Sequence, residues 1–448
     1  MNLGIVGAGY VGLTSAICLS SLNHKVTIYD IDKEKIEQIQ NKQMPFFENG
    51  LQNLLEKTIN SRTLNITNDM NELVKDCDVC FICVGTPSSP DGCIDLSQIL
   101  STSESLAKAV KRNSKKDFVI VIRSTVVPKT TRNKVLPILQ QILDKQEFGL
   151  CVVPEFLREG QALNDFMNPD KIVIGGFNEK YIDLIAKIFE YFLTKSKIIK
   201  TNPETAELIK YTNNAFFSLL ISFANEIANI SEKITGVDSF EVMNALISDK
   251  RITTKINDQS IIPELISYLM PGCGFGGSCF PKDVRAILKY SNINQIKTPL
   301  LQAILDINDE RPQKIVSMAE SILGDLKNKK ISILGLTFKP DTDDMRSSPA
   351  LATIEILQNK GASMIAFDPI ISKKKETSIF DINLAKSIDL CLEQSNLAIL
   401  FTKWPEFRSI DGVLLQKHMR NPVIIDGRGF LDQSKFTKNT YYKIGLTG

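Results

Sequence analysis

The chain has 448 residues, 43% of them hydrophobic and 23% charged, with a formal net charge of only +2. That balance gives no basic excess for nucleic acid, and no uninterrupted apolar segment reaches the roughly 18–20 residues that a membrane span needs. The length suggests two to four domains, and nine cysteines without framework spacing or a secretory signal fit a reducing cytoplasm.

The first element is a short apolar run from Asn2 to Gly7, followed by Gly7-Ala-Gly9-Tyr10-Val11-Gly12 and a helical pattern from Leu13 to Leu22. A second β-rich run, Lys25 to Asp30, ends in an acid eighteen residues after Gly12. Strand, glycine turn, helix and acid-terminated strand in this register form a dinucleotide-binding fingerprint. Gly7, Gly9 and Gly12 permit the tight turn and the close approach of a pyrophosphate, which the unpaired N–H groups of the helix N-terminus receive. Tyr10 and Val11 belong to that first turn. Asp30 is placed to hydrogen-bond a ribose 2′-OH and to repel a 2′-phosphate, which favours NAD over NADP. A signal peptide would need a basic segment before the run, and none precedes it.

Further β-like runs fall at 78–84, 118–122, 149–153, 171–175 and 196–199, alternating with helical patterns such as 95–110 and 130–144. The alternation predicts a mostly parallel sheet with helices on both faces, and a ligand site built from loops after the strands. Three such loops carry chemistry: Val84-Gly-Thr86-Pro87, Arg123-Ser-Thr125-Val126 and Pro154-Glu155-Phe156-Leu157-Arg158-Glu159-Gly160. Cys77, Cys80 and Cys83 have a metal-like CxxCxxC spacing, but residues three apart in a strand face opposite sides. They read as buried structural thiols, and no metal is expected. His24 lies in a turn and His418 in a basic stretch, so proton transfer falls to Lys, Asp, Glu or water.

Residues 204–235 contain neither Gly nor Pro and carry apolar residues at helical spacing from Leu208 through Phe216, Leu220, Ala224, Ile227 and Ile234. Such a helix would run about 45–50 Å, long enough to join two lobes and pack against a partner subunit. Lys210 and Asn214 stand one turn apart on one face of it. Beyond it, Gly272-Cys-Gly274-Phe-Gly276-Gly-Ser-Cys279-Phe-Pro-Lys282-Asp283 sets a cysteine behind a glycine-rich bend, with an ammonium and a carboxylate just after it. The glycines let a ligand approach the main chain, a nearby cation favours the thiolate, and a carboxylate can handle protons. This is a candidate site for covalent catalysis; a protein that only binds its ligand would have no need of the thiol.

A third unit begins near 318. Lys330 to Gly335 reads as strand and turn, Pro349 to Asn359 as a helix with Gly361 at its C-cap, and Ser363 to Asp368 as a strand ending in an acid. This repeats the order of residues 2–30. The fold class is therefore α/β, with two Rossmann-like doubly wound domains joined by a long central helix and a helical middle domain; the expected spans are 1–200, 201–317 and 318–448. The second lobe has no GxGxxG. Its loop from Leu336 to Arg346 suits another nucleotide, with Lys339, Arg346 and Arg428 supplying charge to phosphate or carboxylate.

The dinucleotide fingerprint, Cys279 in GFGGSCFPKD, PEFLREG and the second lobe's GLTFKPDTDDMRSSP together resemble the UDP-glucose/GDP-mannose dehydrogenase family over essentially the whole chain. The resemblance implies NAD as cofactor, a UDP-sugar substrate, a cytoplasmic enzyme and a homodimer built through the central helical domain. It implies a four-electron oxidation of the sugar's C6 alcohol to a carboxylate, through an aldehyde captured on Cys279 and a thioester that is then hydrolysed. UDP-glucose, giving UDP-glucuronate, is the first expectation; another UDP-hexose or GDP-mannose would undergo the same chemistry.

Motif by motif, the resemblance makes Cys279 the nucleophile and Lys210 the cation that steadies the oxyanion. Asn214 and Thr125 would place it and a bound water, Asp283 would act with Lys210 on that water, and Glu155 would move the proton in thioester hydrolysis. Cofactor positions are Gly7, Gly9, Tyr10, Val11, Gly12, Asp30, Lys35, Thr86, Thr125, Glu159 and Arg346. Substrate positions are Glu155 to Glu159, Lys210, Asn214, Tyr268, Gly274, Gly276, Lys339 and Arg428, with Arg251 reaching the sugar of a neighbouring subunit. Two places depart from the family pattern: its Arg-Ile-Gly reads Arg251-Ile-Thr, and its Val-Pro-Thr-Pro reads Val84-Gly-Thr-Pro. Ser278 before Cys279 also differs from the GGHC of the N-acetyl-sugar branch.

Overall fold

Runs of Val, Ile, Leu and Phe that are apolar on both faces build the strands of residues 1–213, as expected where helices cover both sides of a sheet. The computed structural model describes residues 1–89, 91–144, 147–193, 196–256, 259–373, 378–437 and 439–446. It divides into a unit of residues 1–213 and one of residues 214–448.

In the first unit the strands are β1 (Asn2–Val6), β2 (Lys25–Tyr29), β3 (Leu64–Thr67), β4 (Val79–Ile82), β5 (Phe118–Ile122), β6 (Phe148–Val152), β7 (Lys171–Gly176) and β8 (Lys197–Thr201). They pair in the order β3-β2-β1-β4-β5-β6-β7-β8, with β6–β7 antiparallel in an otherwise parallel sheet. In β5, Val119 and Val121 enter the core on one face while Phe118, Ile120 and Ile122 enter it on the other. The order reverses between β1 and β4, where a parallel sheet opens its ligand crevice. Only β3 escapes the periodic pattern: it is a four-residue edge strand carrying a polar, exposed Asn65.

Cys77 is not in the strand but caps the helix Met70–Asp76, two residues before β4 begins. Cys77 and Cys80 therefore do not point to opposite sides; a Cβ on Gly4 would meet their sulfurs at 2.8 and 3.1 Å. Cys77, Cys80 and Cys83 are buried, and burial raises the Cys83 thiol to about 12.

The long helix spans Pro203–Ser231, about 44 Å at 1.5 Å per residue. Proline suits its first turn, and the Asn202 side chain accepts from Thr205 N at 2.8 Å. It stops short of 235 because the N–H groups of Lys233 and Ile234 bond back only three residues, leading into a left-handed Gly236 at φ +81°.

The second unit holds the helices Ser239–Ile247, Phe280–Ile293, Pro299–Asp309 and Arg311–Leu323, with a small hairpin of β9 (Thr254–Ile256) and β10 (Gln259–Ile261). Its own sheet comprises β11 (Lys330–Leu334), β12 (Ser363–Phe367), β13 (Ser378–Ile379), β14 (Ile382–Leu384), β15 (Leu397–Leu400), β16 (Ile424–Asp426) and β17 (Tyr441–Lys443). The order is β13-β14-β12-β11-β15-β16-β17, parallel except for β13–β14. Again the order reverses beside the first long strand, between β11 and β15. The repeat read from the sequence is thus a repeat of architecture: two Rossmann-like sheets, with a helical segment between them in chain order.

Candidate active site

The turn after β1 is built for a bound pyrophosphate. Gly7 adopts φ +102°, and a Cβ there would meet the Cys83 carbonyl oxygen at 2.8 Å; one on Gly12 would lie 1.8 Å from the Gly7 carbonyl oxygen. A Cβ on Gly9 would meet nothing within 4 Å. Two glycines thus close the turn and the third leaves room for a ligand at the start of the helix Tyr10–Ser21, whose Gly9 N-cap supplies no side-chain acceptor. Asp30, at the end of β2, accepts from Ala8 N at 2.6 Å and faces Lys35 Nζ at 3.4 Å. Tyr10 and Val11 are half-buried, and Thr86 and Thr125 occupy the loops after β4 and β5. These residues fit NAD: a cradle for its phosphates and an acid for its ribose.

The loop after β6 is fixed by buried charge. Lys210 Nζ donates to Glu155 Oε1 at 2.8 Å, and Leu157 N donates to Glu155 Oε2 at 2.6 Å. Burial alone would raise the Glu155 carboxyl; the Lys210 ammonium, these hydrogen bonds and Arg123 outweigh it and hold the group below its ordinary range. Phe156 lies beneath two ammonium groups, Lys171 at 4.4 Å and Lys210 at 5.7 Å from its ring centre. Burial, then the nearby Lys210, lower the Lys171 ammonium, against the pull of Asp170. Arg158 is turned onto Asp165, which takes its Nε, Nη2 and backbone N–H. Glu159 is half-buried, and its charge acts on the Tyr10 phenol.

In the second unit Cys279 is half-buried at the N-cap of the helix Phe280–Ile293, where the helix dipole favours negative charge. Ser278 Oγ is 3.5 Å from its sulfur. Asp283, one turn on, is buried and accepts from Asn214 Nδ2 at 2.6 Å and from Lys282 Nζ at 2.5 Å. The Lys282 ammonium is therefore committed to Asp283. Tyr268 lies between Phe217 and Phe280, its ring tilted against both, with ring centres 4.7 and 6.2 Å away. The glycines before the cysteine are required by crowding: a Cβ on Gly276 would reach the Ser347 carbonyl oxygen at 2.2 Å, and Gly274 has φ +99°.

The turn after β11 differs from the one after β1 in a telling way. The buried Asp368, at the end of β12, accepts from both Leu336 N and Thr337 N and from the indole of Trp404. Its own acid thus consumes the N–H groups that a pyrophosphate would need. Lys339 lies 5.6 Å from the Phe338 ring, and Arg428 donates to the carbonyls of Phe401 and Gly274. Arg346 and Arg251 each turn onto an acid two residues earlier, Asp344 and Asp249, and both side chains are exposed.

Three residues that the motifs do not mark turn out to organise these loops. Glu48, buried, accepts from the Tyr10 hydroxyl, Gly160 N and Ala162 N. Glu207, one turn before Lys210, accepts from Lys129 N at 2.7 Å and Thr131 N at 2.9 Å. Arg311 donates to Gly272 O beneath the cysteine loop. The sequence offered no local signal for any of them beyond a charged residue inside an apolar pattern.

Family models for three consecutive domains match the chain. They are the NAD binding domain (residues 1–193), central domain (204–310) and UDP binding domain (332–433) of the UDP-glucose/GDP-mannose dehydrogenase family. The UDP-glucose 6-dehydrogenase AglM of Haloferax volcanii is 37% identical over 434 residues, covering 96% of each chain. A UDP-glucose dehydrogenase from the hyperthermophilic archaeon Pyrobaculum islandicum superposes with a TM-score of 0.90 at 30% identity, covering 100% of this chain and 98% of that one. A UDP-D-ManNAc dehydrogenase from Pyrococcus horikoshii gives 0.84 at 27% identity, covering 99% of each.

Proposed function

The chain belongs to the UDP-glucose/GDP-mannose dehydrogenase family, whose members are NAD-dependent oxidoreductases of nucleotide sugars, and from that premise we propose that it oxidises UDP-glucose to UDP-glucuronate. The observation that carries the proposal is the cysteine loop: a half-buried thiol at a helix N-terminus, one turn from a buried Asp283 held by Asn214 and Lys282.

In the overall change, R–CH2OH, two NAD+ and water give R–COO−, two NADH and three protons. NAD, when bound, supplies the hydride acceptor for each oxidation. The Cys279 thiolate adds to the aldehyde carbon, and the carbonyl oxygen takes up one proton, equivalent to the one the thiol gave up, to become the thiohemiacetal hydroxyl. Oxidation of that adduct leaves a thioester, and water releases the carboxylate and frees the thiol. Covalent capture keeps the reactive aldehyde from escaping between the two oxidations. Lys210 steadies the oxyanion, Glu155 moves the proton during hydrolysis, and Thr125, Asn214 and Asp283 position the water and its partners.

NAD would be held by Gly7, Gly9, Tyr10, Val11, Gly12, Asp30, Lys35, Thr86, Thr125, Glu159 and Arg346. The UDP-sugar would be held by the segment from Glu155 to Glu159 and by Tyr268, Gly274, Gly276, Lys339 and Arg428. The work divides over residues 1–200, 201–317 and 318–448. A homodimer forms through the middle segment: Phe216, Phe223 and Ile230 repeat every seven residues along the long helix and are 48%, 40% and 55% exposed, a stripe that a second copy would cover. Arg251 would then meet the neighbouring subunit's sugar. A cytoplasmic setting is supported by nine free cysteines. Among the described residues no helix is long and apolar enough to cross a membrane.

The test is Cys279→Ser with UDP-glucose and NAD. Loss of NADH formation with sugar binding retained by calorimetry supports the proposal, and turnover equal to the parent's sinks the covalent mechanism.

A further inference from the structure

The main chain of the cysteine loop is held from several directions. Gly272 N donates to Asn225 Oδ1 at 2.8 Å, and Gly272 O accepts from Arg311 Nε at 3.0 Å. Gly274 O accepts from Arg428 at 3.0 Å, Asn308 bonds both N and O of Phe275, and Gly277 N donates to Arg346 O at 2.8 Å. Arg311 is the unusual member of this set. Its side chain is wholly buried, the largest such side chain among the described residues. Its second arm, Nη1, donates to Asn229 Oδ1 at 2.7 Å, and its Nη2 has no hydrogen-bond partner among the described residues. A Cβ on Gly274 would meet the Arg311 Cγ at 3.3 Å, so the stem also forms the floor under the bend.

Among the described residues no carboxylate pairs with this guanidinium. Glu232 and Glu310 act on it from a distance, and Arg428 opposes it. Burying an uncompensated cation costs several kcal/mol, and an apolar side chain of similar volume would fill the space without that cost. What an apolar side chain lacks is the planar fork that reaches a loop carbonyl with one nitrogen and a helix side chain with another.

We infer that Arg311 is a positioning residue for the Cys279 loop, a fork that fixes the bend at Gly272–Gly274 to Asn229 of the long helix and so sets where the thiol stands. The inference rests on the reading of Cys279 as the reactive thiol, and it asks of Arg311 no contact with substrate.

The experiment measures alkylation of Cys279 by iodoacetamide, alongside melting temperature and NADH formation. The background is Cys93→Ser, because Cys93 is the other half-exposed cysteine and the remaining seven are buried. Arg311→Met is expected to keep or raise the melting temperature, to change the Cys279 alkylation rate at least severalfold, and to lower kcat about 10²-fold with little change in KM, the scale of a misplaced reacting group. Arg311→Lys, which keeps the charge but cannot reach both acceptors, is expected to follow it. Should Arg311→Met fail to fold, Asn229→Ala removes only the second arm and is expected to shift alkylation and kcat in the same direction by a smaller factor. A folded variant with the parent's alkylation rate and kcat overturns the inference. If the parent itself makes no NADH from UDP-glucose while alkylation still responds to Arg311, the functional proposal fails and the positioning role stands.

Discussion

Lys210 and Glu155, fifty-five residues apart, form an ion pair at 2.8 Å whose side chains are only 4% and 6% exposed. Neither charge can be removed without stranding the other. Lys210→Met is therefore expected to cost about 3–5 kcal/mol, the range for breaking a buried pair, and to abolish turnover. Glu155→Gln has a pH signature. The Glu155 carboxyl is held below its ordinary 4.5, so its contribution to stability is present above that pH and lost as pH falls through its folded value. The stability gap between parent and Glu155→Gln should narrow in denaturant titrations run below pH 4.5. A gap constant down to pH 3 would contradict the pairing.

Glu207 should behave in the opposite sense. Burial raises its carboxyl from 4.5 to about 7, with Glu204 adding to the rise and the N–H groups of Thr131 and Lys129 opposing it. An acid raised in the folded state weakens stability as pH climbs from 4.5 to 7, because the unfolded chain releases the proton first. Glu207→Gln removes that loss. Relative to the variant, the parent should lose about 3 kcal/mol across this window, from about 1.4 kcal/mol per pH unit. Parallel melting curves for the two proteins between pH 4.5 and 7 would rule this out.

Gly9 and Gly12 separate ligand space from structural space. Alanine at Gly12 would collide with the Gly7 carbonyl, whereas alanine at Gly9 meets open space. Gly12→Ala should cost about 1–3 kcal/mol of stability, as overpacking does. Gly9→Ala should melt like the parent yet bind NAD at least about tenfold more weakly, a loss of about 1.4 kcal/mol. Paired thermal melts and NAD titrations decide it, and a Gly9→Ala protein with full affinity would move the pyrophosphate elsewhere.

The exposed stripe on the long helix predicts its own disruption. Phe223→Glu puts a charge at the centre of a face bearing Phe216 and Ile230. Sedimentation should show a dimeric parent and a monomeric variant with nearly the parent's melting temperature. An unchanged mass would take this face out of the dimer.

The placement of several candidate residues was legible because it is local. Gly7, Gly9, Gly12 and Asp30 form one strand–turn–helix–strand unit, and Cys279 and Asp283 share one helical turn, so spacing alone reveals them. The supports were not legible, since each depends on folding distant segments together. Glu48 reaches Gly160 across 112 residues, Glu207 reaches Lys129 across 78, and Arg311 reaches Gly272 across 39. Arg158 and Arg251 show the converse: both match substrate positions by motif, yet both guanidinium groups rest on a nearby acid, Asp165 and Asp249. The edge strand Leu64–Thr67 is not legible in the sequence because four residues with one polar, exposed position carry too little period to stand out.

The most direct test counts NADH. Purified protein with excess NAD and limiting UDP-glucose is followed at the NADH absorbance band, with GDP-mannose and UDP-N-acetylglucosamine in parallel. Two NADH are expected for each UDP-glucose consumed, and none from the other two sugars. One NADH per sugar would mean that the aldehyde is released and that Cys279 does not hold it.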